Sequence, residues 1–353
     1  MIHTSPARPH LPSALKLLLQ AALFPIPEAA IAFGQWRKQI DFESLDLASY
    51  NLMPKLYQNL HAHFEKDDIT QRIKGIYRRT WLENQLLFPL FEKIFCLFEN
   101  NRIEFIVLSG APLFRQFGGD SFVFPLKGFE ISVSSEQFPS ALEILQNNGW
   151  QTKQEISSGD LTENNFLFVD DESQAQFYLR RQPLNQFKVG YQTAERIEFA
   201  KTKIKILSAN EQILHLCKDE FLGWKKHSGY WALMSFTILK SGTKINWKKL
   251  VAQAKARKLS FALFEMLDYT AENLAVEIPE IVLKELAKPQ TALLQKWERI
   301  LTAYRSLRET HLNNRTKTDS PPSVIGFVKF LRQHWQINSI LSVPWQIGKR
   351  ILR

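Results

Sequence analysis

The stretch Asn101–Trp150, NRIEFIVLSGAPLFRQFGGDSFVFPLKGFEISVSSEQFPSALEILQNNGW, decides the fold. The run from Ile103 to Leu108 is short, apolar and rich in β-branched and aromatic residues. It ends at Ser109-Gly110, the pattern of a buried strand feeding a tight turn. Pro112 suits the first turn of a helix, where no backbone donor is needed, and Gly118-Gly119 stops that helix. Phe129, Ile131 and Val133 then alternate with Glu130, Ser132 and Ser134, which predicts a strand with one apolar and one polar face. A second helix follows, capped at Ser134 or Ser135, with Phe138, Leu142 and Leu145 along one side and Asn148-Gly149 at its end.

On the N-terminal side the pattern is helical. Residues 13–24 (SALKLLLQAALF) form an amphipathic helix closed by Pro25 and Pro27, and residues 28–39 and 48–63 carry two more. The long pattern 69–99 keeps helical spacing through Ile76, Trp81, Leu82, Leu86, Leu90, Ile94 and Leu97, with Pro89 as a kink point. On the C-terminal side, 166–169 and 175–179 flank Asp170-Asp171-Glu172-Ser173, a hairpin signal with an acidic turn. Consecutive carboxylates on a turn rarely converge on one ion, so the turn reads as solvated. Residues 196–207 (RIEFAKTKIKIL) alternate again and predict the last strand of the sheet, with Lys201, Lys203 and Lys205 on its wet face. Residues 211–221, 229–240, 246–256, 259–275, 279–286 and 290–310 read as helices.

Composition bounds these expectations. A chain of 353 residues that is 45% apolar, with 26 Phe and 9 Trp, buries a large core and is not a disordered segment. Cys96 and Cys217 lie in apolar helical sequence without metal-ligand spacing, which predicts buried free thiols in a reducing, cytoplasmic setting. Met1 to Pro12 has no long apolar core and no apolar run reaches membrane-spanning length, so neither a signal peptide nor a spanning helix is expected. The net charge of +10 comes without a long basic stripe or a nucleic-acid-binding module, so nucleic acid is not an expected partner.

The order strand, Gly turn, helix, strand, helix resembles the core of the polymerase-β-like nucleotidyltransferases. In particular it resembles an uncharacterised bacterial nucleotidyltransferase family with an LKGAAL turn, an RPM-x-D-[IVF]-D strand and a D-L-H-W strand. The turn here is Leu108-Ser109-Gly110-Ala111-Pro112-Leu113, and the second motif is Phe124-Pro125-Leu126-Lys127-Gly128-Phe129-Glu130. Residues 74–81 and 84–88 resemble the family's lead-in helix, while 207–209 and 212–217 resemble its entry to the C-terminal helices. The resemblance covers residues 15 to 335. It implies an α+β fold: a small mixed β-sheet core (101–207) between an N-terminal helical lobe (1–100) and a C-terminal helical lobe (208–312), followed by a linker and basic aromatic tail (313–353).

The same resemblance implies a chemistry and shows where its parts are replaced. Two carboxylates at i and i+2 on a strand point the same way and hold Mg²⁺ against a nucleoside triphosphate, neutralising charge as pyrophosphate leaves. The chain has Gly128 and Glu130 at those places, Gln176 at the third acidic position and Ser109 where the turn carries Lys. Asp219 stands where relatives have a second His after His215, and Met234, beside Ser235, stands where their next helix has an Asp. His215 lies among Ile213, Leu214 and Leu216 and reads as structural. The nucleotide-binding positions implied are Ser109, Gly110, Lys127 and Gly128, with Lys225 from the basic loop Lys225-Lys226-His227. Glu130 is the one catalytic and metal-ligating candidate.

Three readings stand on these residues. The first is a degenerate nucleotidyltransferase-fold protein with no resident cofactor, kept to bind a nucleoside triphosphate, a protein partner or a surface; Mg²⁺ enters only if nucleotide binding or activity survives. The second is an active Mg-dependent enzyme pairing Glu130 with a non-motif carboxylate: Asp120, Asp170 or Asp171. The third is a peripheral membrane protein anchored by residues 324–353, where Phe327, Trp335 and Trp345 mix with five cations and no acid.

Overall fold

Three phenylalanines on one helix and four on the sheet beneath it form the layer around which the chain folds. In the computed structural model the described residues are 11–64, 67–118, 123–126, 128–152, 165–170, 175–199, 201–221 and 229–288. Helices α1 (Ser13–Leu23), α2 (Glu28–Arg37), α3 (Leu47–Leu60) and α4 (Asp68–Asn100) come first. α1 buries Leu15, Leu18, Leu19 and Ala22, the stripe its spacing predicts, and packs on α2 and α3. Asp46 caps α3 by accepting from Ser49 N at 2.7 Å. Asp67 and Thr70 cap α4 reciprocally: Thr70 N donates to Asp67 Oδ1 at 2.8 Å, and Asp67 N to Thr70 Oγ1 at 3.3 Å.

The sheet is built from β1 (Phe105–Ser109), β2 (Glu130–Ser134), β3 (Trp150–Thr152), β4 (Asn165–Asp170), β5 (Gln176–Gln182), β6 (Glu195–Phe199) and β7 (Thr202–Ile206). Helices α5 (Ala111–Gly118) and α6 (Phe138–Asn147) flank β2 in sequence, and α7 (Leu184–Thr193) follows β5. The strand order is β3-β4-β5-β2-β1-β7-β6. β1 runs antiparallel to β2 and parallel to β7, while β2 runs parallel to β5, so the sheet is mixed. One face carries Val107, Ile131, Val133, Phe177, Leu179, Ile204 and Ile206, all fully buried. Against it α4 sets Phe91, Phe95 and Phe98. The Phe95 ring lies 5.7 Å from Phe105, 5.3 Å from Phe129 and 5.6 Å from Phe199, and Phe129 stacks on Phe177 at 5.1 Å. Offset and edge-on ring pairs add directional attraction to the burial of apolar area, roughly 1 kcal/mol per pair.

Three elements differ from the sequence reading. Residues 196–207 are not one strand but the hairpin β6–β7, in which Phe199 faces Thr202. The alternation runs through the turn without a Gly or Pro to mark it, and Glu92 Oε1 on α4 accepts from Lys201 N at 2.9 Å there. β3 is a three-residue edge strand and α7 a helix with few apolar residues; local periodicity signals neither. Ser134 Oγ accepts from Gln137 N at 3.2 Å, before the first residue of α6, so it closes the preceding turn rather than capping the helix.

After β7 come α8 (Ala209–His215), a π-helical turn at Leu216–Phe221, α9 (Tyr230–Lys240), α10 (Trp247–Ala256), α11 (Ser260–Leu274) and α12 (Glu280–Ala287). The described residues divide into two compact units, one within 12–215 and 233–246 and one within 216–232 and 247–288, with Leu11. In the second unit the Trp231 ring meets Phe221 at 4.9 Å and Tyr269 at 5.1 Å edge-on, and Lys255 Nζ lies 2.9 Å from Glu285 Oε2, joining α10 to α12. No helix of the described residues is long and apolar enough to cross a membrane. The predicted helix 290–310, the linker and the tail lie outside the described residues.

Asn84, 5% exposed, ties α4 to the segment leading into β2: its Nδ2 donates to Phe124 O at 2.9 Å and its Oδ1 accepts from Leu126 N at 3.1 Å. Asn84→Ala removes both of these hydrogen bonds at once. It is expected to lower unfolding free energy by about 2 kcal/mol, read as a lower denaturant midpoint at unchanged m-value.

Candidate functional site

The turn after β1 and the lead into β2 are pressed together by two glycines. Gly110 has φ +102°, and a Cβ built on it would lie 2.7 Å from Phe129 Cβ and 3.1 Å from Gly128 O. Its carbonyl accepts from Leu113 N at 3.1 Å as α5 opens. Across a register shift between Val107 and Ser109, Ser109 pairs with Glu130. The fold therefore brings Ser109, Gly110, Gly128 and Glu130 to one end of the β1–β2 pair. Lys127 and Lys225 lie outside the described residues.

Glu130, Ser132 and Ser134 share the sheet face opposite the phenylalanine layer. On parallel β5, Tyr178 lies opposite Glu130 and Arg180 opposite Ser132, which sets Arg180 diagonally beside Glu130. Arg180 Nε is 2.5 Å from Glu130 Oε1, and each side chain is only 15% exposed. The N–H is not aimed along that line, so this is a contact of opposite charges rather than an aligned hydrogen bond. The Ser132 hydroxyl is fully buried beside it without a hydrogen-bond partner. Behind β1, buried Gln212 of α8 donates from Nε2 to Leu108 O at 3.2 Å. Phe187 and Tyr191 of α7 close over Ile106, Leu108 and Leu207 on the same face.

A family profile described as uncharacterised nucleotidyltransferase matches residues 47–275, from the start of α3 to the end of α11. The chain belongs to the uncharacterised nucleotidyltransferase family. A search of curated proteins finds no match.

Within this nucleotidyltransferase-family fold, the position two residues before Glu130 has no room for a side chain. Gly128 has φ +150°, and a Cβ there would sit 2.4 Å from Gln176 O and 3.2 Å from its carbonyl carbon. These are backbone atoms of β5 and cannot rotate away. Gln176 shares Tyr178's face of β5 and is exposed, but it is uncharged. Asp170 pairs with Trp150 and alternates with Leu167 and Val169, which oppose Tyr178 and Gln176. Its side chain therefore belongs to the sheet face opposite Glu130's. Asp120 and Asp171 lie outside the described residues. Among the described residues no three His, Cys, Asp or Glu side chains gather as a metal-ion site. Among the described residues this leaves one carboxylate held by a guanidinium, a donor set that does not fit a divalent cation that also coordinates phosphates.

The remaining candidates are engaged elsewhere. Lys201 and Lys203 are exposed, as expected of a wet strand face. Lys205 is not simply solvated: its Nζ donates to Tyr191 O at 2.8 Å and sits 3.5 Å above the Tyr191 ring. Burial, then the charge of Arg196, push its pKa down against the pull of Glu104; burial and Glu104 push the Tyr191 phenol up. His215 is half-buried at the end of α8, and Met234 and Ser235 are fully buried. Cys217 is buried, and half-buried Cys96 places Sγ 3.4 Å from Thr202 Oγ1; neither forms a disulfide. Arg180 is the residue that sequence reasoning misses. Its only signal is a cation two positions after Tyr178 in an alternating strand, and the β2–β5 register supplies its partner.

Gly128→Ala is expected to destabilise the fold by about 3 kcal/mol or more, since the clash is with backbone, measured by chemical denaturation. Arg180→Met leaves Glu130 nearly buried without its cation and is expected to cost about 3 kcal/mol. Adding Glu130→Gln should restore most of that loss in a double-mutant cycle.

Proposed function

We propose that this nucleotidyltransferase-family chain does not carry out metal-dependent nucleotidyl transfer and keeps the fold to bind a nucleotide or a protein partner in the cytoplasm. The observation that carries this reading is the backbone of Gly128 against Gln176 O, at the place the paired-carboxylate chemistry needs its first acid. Transfer requires negative charge to be neutralised on the triphosphate as pyrophosphate departs, and a two-carboxylate metal clamp supplies that neutralisation. Here Glu130 faces Arg180 instead, so the charge that would attract a cation is already opposed within the protein. Losing the clamp does not abolish the turn at Ser109-Gly110 or the strand beside it, which stay ordered by the phenylalanine layer and by Asn84. A ligand recognised there would be bound through backbone groups and side chains rather than through a metal.

The test is incubation of purified protein with labelled nucleoside triphosphates and Mg²⁺ or Mn²⁺, alongside thermal-shift titration of the same nucleotides. No label should pass to the protein or to an added acceptor. Any nucleotide stabilisation should be the same with Mg²⁺ as with chelator, because binding stabilises the folded state by mass action whatever supplies the contacts. Metal-dependent labelling that disappears in Glu130→Gln would overturn the reading.

A further inference from the structure

The feature left unused by this site is the outer side of α4. The helix is 33 residues long, and its inner side is spent on the protein core: Ile73, Thr80, Asn84, Phe91, Ile94, Phe95 and Phe98 are buried. Its outer side shows a stripe at spacings of four, four, three and four residues: Arg78, Leu82, Leu86, Pro89 and Lys93, all exposed. These positions lie one above another on a 3.6-residue helix and cover roughly 22 Å of its length. Leu82 is 54% exposed and Leu86 65%, with Trp81 at 47% on the flank. Two acids flank them: Glu83 is held by Arg79 at 2.7 Å, and the Glu92 carboxylate accepts from Lys201 N at 2.9 Å. The helix thus presents an apolar centre between cationic ends, on the side facing away from its own core.

We propose that this stripe is a docking surface for a lipid bilayer bearing anionic headgroups. Charge selects the occupant. A second copy pairing through the same stripe would bring Arg78 and Lys93 of each chain against cations of the other, in parallel or antiparallel alignment. The chain's own residues 324–353 carry five cations and no acid, so they repel the stripe in the same way. An anionic headgroup layer takes up both cations, while Leu82, Leu86 and the Trp81 ring enter the boundary between headgroups and acyl chains, where an amphipathic helix lies flat. The surface lies outside the turn at Gly110 and Gly128 and does not depend on whether that turn binds nucleotide.

The experiment is co-sedimentation of the full chain with phosphatidylcholine vesicles prepared with and without phosphatidylglycerol. The wild type should pellet with the anionic vesicles only and be released as salt is raised. Leu82→Asp/Leu86→Asp should weaken binding about tenfold or more, and so should Arg78→Glu/Lys93→Glu, with circular dichroism and melting temperature unchanged because every substituted position is exposed. The tail stays intact in these variants, so a loss of binding belongs to α4. Failure of the wild type to pellet overturns the proposal, as does wild-type binding by both double variants. So does a solution dimer that Leu82→Asp/Leu86→Asp dissolves without changing vesicle binding.

Discussion

The close approach of two glycine backbones to their neighbours is the constraint on which the centre of this molecule depends. Gly110 lies against Phe129 and Gly128 against the carbonyl of Gln176, at separations that leave no space for a β-carbon. Both have positive φ, so residue type and backbone conformation are demanded together. Through the first contact the turn after β1 is seated on the start of β2; through the second, β2 is seated on β5. Glu130 is the first residue of β2, and the register of that strand against β5 determines which charge stands beside it.

That register converts a strand pattern into an electrostatic statement. The diagonal relation between Glu130 and Arg180 places an anion and a cation in contact in a largely dehydrated setting, with Ser132 buried next to them. Such a pair adds little net stability, because desolvation offsets most of the attraction, yet removing either partner strands the other charge. Its consequence is local: the carboxylate's field is answered within the sheet. The phenylalanine layer on the opposite face holds this geometry, since Phe129 belongs to the glycine contact, meets Phe95 edge-on and stacks on Phe177.

Much of this architecture is legible in residue order alone. The succession β1, α5, β2, α6 follows from apolar periodicity and from glycine and proline punctuation, because those signals are local. The hairpin at 195–206 is not legible, since alternation continues across its turn and the strands are distinguished only by pairing with each other and by Glu92 reaching the turn backbone. α7 escapes because Phe187 and Tyr191 carry its packing while Val189 faces solvent. β3 escapes because three residues contain too little periodicity to see.

By itself the sequence determined the fold class, the family resemblance, and the presence of Gly at position 128 and Gln at position 176, since each is written in residue type and order. Only the tertiary structure decided that position 128 is closed by backbone, that Arg180 stands against Glu130, and that Asp170 belongs to the other face of the sheet. Those facts arise from strand register and from contacts between segments distant along the chain. A pattern of side chains on one strand holds no information about which residue of another strand will lie across from it.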